Sequence, residues 1–132
     1  MEKITTTAKN TTKEYIFDAT DKKLGRLAAR IAHILMGKAD LHYAPHQVFP
    51  TKVVVQNVDK MTTTDKQELN HLYQSFSGYP GGRSEVPMKT VIKKHGHEEV
   101  LRRAVRGMLP KNKLQSVRLK NLIFTEGNQS TN

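Results

Sequence analysis

Apolar positions recur along this chain at two periods, and the switches between them divide it into elements. Tyr15-Ile16-Phe17 is a short apolar run suited to a buried strand, and residues 18–21 supply turn and N-cap chemistry after it. Over residues 22–36 the period becomes helical. Leu24, Leu27, Ala28, Ile31 and Leu35 form one stripe, while Arg26, Arg30 and His33 form a second at i, i+4, i+7. Gly37 closes this helix at its C′ position, and residues 41–50, with two prolines and two histidines, read as a structured loop. Val53-Val54-Val55 then predicts a strand buried on both faces, so strand, helix and strand make a βαβ unit with two parallel strands.

The second half is less regular. Residues 62–65 read as a turn, residues 68–76 alternate loosely as an edge strand, and residues 77–83 form a Gly-rich loop. Met88, Val91, Ile92 and His95 give a short helical stripe started near Pro87 and stopped at Gly96. A further helix over residues 98–108 carries Val100, Leu101, Ala104, Val105 and Met108 on one side and Arg102, Arg103 and Arg106 on the other, closed by Gly107 and Pro110. Glu98–Arg102 and Glu99–Arg103 pairs would support it. One or two turns over residues 113–119 and a last strand at Leu122-Ile123-Phe124 complete the pattern. Residues 1–13, Thr-rich and without period, are expected to be a flexible arm, residues 14–127 a single domain, and residues 128–132 a polar tail.

Charge adds a partner to this picture. The chain carries a net +10, and residues 83–120 hold eleven Lys or Arg against three acids, which is +8 of it. Such a local excess is complementary to an anionic partner, with nucleic acid ahead of an anionic membrane surface. The chain has no Cys, which excludes disulfides, thiolate nucleophiles and Cys-ligated zinc. No apolar run reaches the roughly 18–20 residues of a membrane span. The N-terminus lacks the apolar segment of a secretory signal. His42 with His46, and His95 with His97, invite a metal reading, yet no acid or Cys lies within either cluster to complete a tetrahedral site, so no metal site and no cofactor are expected.

The residues Asp18-Ala19-Thr20, Leu24-Gly25-Arg26-Leu27-Ala28, Gly37-Lys38, Pro45-His46, Ser77-Gly78-Tyr79-Pro80-Gly81-Gly82 and, most distinctively, residues 104–111 (AVRGMLPK) stand in an order and spacing that resemble one family. It is the large-subunit ribosomal protein family L-thirteen in its bacterial form. The resemblance implies a three-layer α/β/α single domain around a mainly parallel four-stranded sheet. It also implies a structural component that binds large-subunit ribosomal RNA and supports assembly of the subunit beside neighbouring ribosomal proteins. That places it in the cytoplasm, with an organellar ribosome as the alternative. By the same resemblance Arg26, Lys38, His46, Arg106 and Lys111 are RNA contacts. Charge and spacing add Arg30, Arg83, Arg103, Lys113 and Arg118. The chain departs from the family after His46, where residues 47–52 replace a usual Gly-Asp pair. A second departure is Gln115-Ser116, which stands where a Gly-Arg pair is usual.

Each sharp reading has a bland counterpart. Arg26, Arg30 and His33 are equally the solvated side of an ordinary helix, and the Glu partners of Arg102 and Arg103 make common surface pairs. The order Gly-x-x-Gly-Gly-Arg at residues 78–83 is neither a Walker loop nor a dinucleotide fingerprint. A nucleotide-dependent enzyme is the rival class, since open α/β sheets bind ligands beyond their strand ends. The sequence offers it no paired nucleophile and base and no carboxylate dyad, so a non-catalytic RNA-binding protein without a small-molecule substrate is the leading expectation.

Overall fold

The computed structural model describes residues 3–6 and 12–125. Its elements run β1 (Lys3–Thr6), β2 (Lys13–Asp18), α1 (Leu24–Leu35), β3 (Thr51–Gln56), α2 (Asp65–Asn70), β4 (Leu72–Phe76), β5 (Arg83–Pro87), α3 (Met88–Met108), α4 (Leu114–Lys120) and β6 (Leu122–Thr125). The main sheet has the order β1-β2-β3-β6, in which β2, β3 and β6 are parallel and β1 adds antiparallel to the β2 edge. The result is one mixed α/β domain, with β4 and β5 forming a separate antiparallel ribbon.

Register explains where the core lies. Tyr15, Val53 and Leu122 stand in one row across the parallel strands and Phe17, Val55 and Phe124 in the next on the same face. Against that face pack Leu24, Leu27, Ala28, Ile31 and Leu35 of α1 and Val91, Val100, Leu101 and Val105 of α3, all in one buried cluster. The βαβ unit is therefore as the apolar pattern predicts. The expected third layer differs. Every helix residue of the core belongs to the cluster that includes Val53 and Val55, whereas Val54, in the opposite-face row with Ile16 and Ile123, lies outside it. Ile123 stays 39% exposed, so among the described residues no helical layer closes that face.

The N-terminal arm and the segment between β3 and α3 depart most from expectation. Residues 1–13 were expected as a loose arm, but Lys3–Thr6 is an edge strand and Lys13 opens β2, because Ile4, Thr5 and Thr6 are β-branched and an edge tolerates polar residues. The remaining arm residues, 1–2 and 7–11, and the tail at 128–132 lie outside the described residues. The expected strand at 68–76 is split. Asp65–Asn70 is a helix with no buried residue, started by Thr64 and two acids in its first turn, and only Leu72–Phe76 is extended. Arg83 opens β5 instead of closing a loop, and the helix of residues 98–108 continues the one before it across Gly96, whose φ of 80° makes the kink. Gly107 lies inside α3 and does not end it.

Arg118 corrects the expectation most directly. It is 2% exposed, and its Nη2 donates to the carbonyls of Pro45 (3.2 Å) and Gln47 (3.3 Å), so it braces the loop beneath α4 and is no surface cation. Gly37 is required twice over: its φ is +82°, and a Cβ there would run into the Phe49 ring. At the carboxyl end of β2, Asp18 Oδ1 accepts from Thr20 N (3.0 Å), Thr20 Oγ1 (2.7 Å) and Asn57 Nδ2 (3.2 Å). These bonds, the Thr20 amide first, hold its carboxyl below the ordinary value and pin Asn57 in its left-handed conformation.

Two outcomes follow from these contacts. Arg118→Met keeps the apolar stem and removes a buried charge that has no carboxylate partner among the described residues, while the Pro45 and Gln47 carbonyls lie in exposed residues and can turn to water. Its unfolding free energy by chemical denaturation should stay within about 1 kcal/mol of the parent. Amide exchange at Gln47, which donates to Ala44 O, should meanwhile accelerate; a loss above about 3 kcal/mol would refute this account. For Asp18 the folded value lies below the unfolded one, so its contribution is present above about pH 4 and is lost as pH falls through the folded value. Asp18→Asn should lower the melting temperature at pH 7 and flatten the acid limb below pH 4 in a melting series.

Candidate RNA-binding surface

Helix α1 positions the first candidates. Once Leu27, Ala28, Ile31, Ile34 and Leu35 turn to the core, Arg26, Arg30 and His33 are left on the exposed side. The first turn has neither a side-chain cap nor an acid, so its amides and the positive end of the helix dipole face outward with Lys22 and Lys23. This turn is pinned from below: Asp21 N donates to Lys60 O (3.2 Å) and Thr62 N to Lys22 O (3.1 Å).

Three recesses meet at that turn. The first, about 560 Å³, is lined by Phe17, Asp18, Asp21, Lys22, Lys23, Arg26, Leu27 and Arg30 and lies beyond the carboxyl end of β2. The second, about 330 Å³, shares Lys23 and Arg26 with it and adds Leu24, Gly25, Thr62, Thr64 and Gln67. The third, about 400 Å³, shares Leu24, Gly25 and Gln67 with the second and reaches His71, Tyr73, Met88, Arg103, Ala104, Gly107 and Met108. Shared lining residues set the three side by side as a groove-like series, from the middle of α1 past its N-terminal turn to the last turns of α3. Gly25 lines it from the first turn of α1 and Gly107 from the last turn of α3. Neither has a positive φ, and a Cβ at either would meet nothing within 4 Å. Alanine would favour each helix by about 0.5–1 kcal/mol.

The cations of α3 divide by their partners. Glu99 takes both neighbours: its Oε1 accepts from Arg103 Nε at 2.9 Å, and its Oε2 lies 3.7 Å from Arg102 Nη1, so the expected Glu98–Arg102 pair is replaced by an i,i+3 contact. Arg103 also stacks over the Tyr73 ring at 4.8 Å, and Arg102 over Phe124 at 5.3 Å. Burial raises the Tyr73 phenol above its ordinary value, with Arg103 opposing. Arg106 makes no ion pair among the described residues. Gln115 Nε2 donates to Arg106 O (2.8 Å) and Leu109 O (3.5 Å), capping the end of α3 and folding α4 back so that Lys111 and Lys113 project from the turn.

The remaining candidates lie apart. Lys38 and His46 are exposed in the segment after α1, about 18 Å of helix away from the groove's central turn, with Arg118 bracing His46's neighbours from beneath. Arg83 is exposed on the ribbon and bonded to Glu85 Oε1 at 2.5 Å. Near it Phe76 and Tyr79 are 68% and 76% exposed, around a turn shaped by positive φ at Gly78 and Gly81. The structure therefore places Arg26 and Arg30 in one recess and Arg103 in another of the same row, and gathers Arg106, Lys111 and Lys113 around the end of α3. Lys38, His46 and Arg83 stand outside both, and Arg118 is removed from the surface. Lys22 and Lys23 were missed, although they directly precede the helical stripe in a position that the open amides of a first turn make anion-friendly.

Among known proteins, the family model described as Ribosomal protein L13 matches residues 12–131. The chain is 44% identical over 115 residues to the large ribosomal subunit protein uL13 of Rubrobacter xylanophilus, covering 87% of this chain and 80% of that one. It is 41% identical over 108 residues to the uL13 protein of Hahella chejuensis (82% and 75%) and 44% identical over 108 residues to that of an Azoarcus species (82% and 75%). The match takes in both helices that wall the groove and the turn beyond them, and the chain belongs to the ribosomal protein L13 family.

Proposed function

We propose that this protein is a non-catalytic constituent of the large ribosomal subunit that binds large-subunit ribosomal RNA and supports subunit assembly beside neighbouring ribosomal proteins. The observation that carries the reading is the row of adjoining recesses along α1 and α3, with Lys22, Lys23, Arg26 and Arg30 lining the first and Arg103 the last. A track of cations on a rigid helix pair suits a folded RNA backbone, whose phosphates are irregularly placed and whose deep groove side chains cannot enter. Arg106, Lys111 and Lys113 form a second cluster at the end of α3, and Lys38, His46 and Arg83 are outlying phosphate or ribose contacts. Phe76 and Tyr79 offer rings on which an unpaired base can stack. The names of the relatives supply the subunit, and the charge of the groove supplies the partner.

Three measurements test this. The protein should co-sediment with large-subunit particles and bind deproteinised large-subunit RNA. Affinity should fall with salt at a log–log slope of roughly −0.7 to −0.9 per phosphate neutralised, and salt-independent binding would refute the reading. Arg26→Ala and Arg106→Ala should each reduce that slope by about one contact and leave the melting temperature within about 2 °C, because both side chains are exposed and neither is in the core.

A further inference from the structure

We infer that Gly25 and Gly107 are contact positions for the RNA backbone, kept bare so that a sugar-phosphate strand can lie directly on the two helices. The inference rests on the RNA-binding reading above and adds to it the place of closest approach.

A glycine inside a helix ordinarily answers to one of three needs: a positive φ, a neighbour that leaves no room for a Cβ, or an approach from outside the chain. The first two are absent at both positions, where the backbone is helical and the space above Cα is open. Gly37 shows the contrast, having both a positive φ and the Phe49 ring against it. Open space at a helical glycine would mean little on an arbitrary surface. Here both positions border the same recess, and both have cations beside them: Arg26 follows Gly25, and Arg103 stands one turn before Gly107. The groove's charge selects a polyanion, and its floor, stripped of two methyl groups, admits that polyanion to within contact of backbone atoms. Side chains at its rim then reach phosphates on either side of the contact.

The inference separates stability from binding, which most surface substitutions do not. Gly25→Ala and Gly107→Ala should each raise the melting temperature of the free protein by about 2–5 °C. Each should also weaken binding to deproteinised bacterial large-subunit RNA about tenfold or more, and the double variant more than either. Because the loss is steric, the slope of log affinity against log salt should stay at the parent value, whereas Arg26→Ala lowers it. Unchanged affinity in both alanine variants would overturn the inference. So would a fall in melting temperature, which would show that the protein's own packing requires the glycines. If the parent chain fails to bind the RNA at all, the RNA reading itself fails, and this inference with it.

Discussion

The packing of α1 against the Val53 and Val55 face of the sheet and against α3 is the constraint on which the rest depends. Ile31, with no exposed surface, fixes the helix about its own axis. A rotation by one residue, about 100°, would carry Arg30 into the cluster and Ile31 out of it. That cost locks Arg26 and Arg30 outward. The amides of Asp21 and Thr62, bonded to Lys60 O and Lys22 O, then set the depth at which the first turn is presented. A groove that must match a rigid polyanion gains from this, since side chains on a packed helix give up little further freedom on binding.

How much of this the sequence shows depends on whether an element buries one face. Helix α1, β3 and the second half of α3 each have a buried side, and their apolar period states it plainly. Helix α2 does not, and the β4–β5 ribbon does so at two positions alone. In the ribbon only Tyr73 and Val86, partners across the two strands, reach the core, while Leu72 and Phe76 stay exposed, so the alternation that marks a half-buried strand is blurred. The third layer failed for a related reason. Three β-branched residues in a row predict burial on both faces, and Val54 is indeed 9% exposed, yet its row continues into Ile16 and an open Ile123 and not into a helix.

Charge was legible as a quantity and not as a direction. Arg118 and Arg106 are alike in a count of bases, but one points into the molecule to brace residues 45 and 47 and the other makes no ion pair among the described residues. Nothing local to Arg118 in the chain marks it, because its partners are main-chain carbonyls some seventy residues away. Arg103 is intermediate: Glu99 and Tyr73 hold it, which lowers its mobility and keeps its charge at the groove wall.

The Gln115-Ser116 departure shows how the same surface can be kept with different residues. A helix that ends leaves its last carbonyls without intrahelical partners, and Gln115 donates to two of them, at Arg106 and Leu109. The exposed Ser116 Oγ donates to Lys113 O. Both side chains are thus engaged within the turn and fix the exit from α3. The turn's charge then rests on Lys111 and Lys113, whose backbone is held on both sides by Asn112, through its amide to Pro110 O and its side chain from the Leu114 amide. The strength of this end of the surface comes from how rigidly two lysines are carried, not from how many bases it contains.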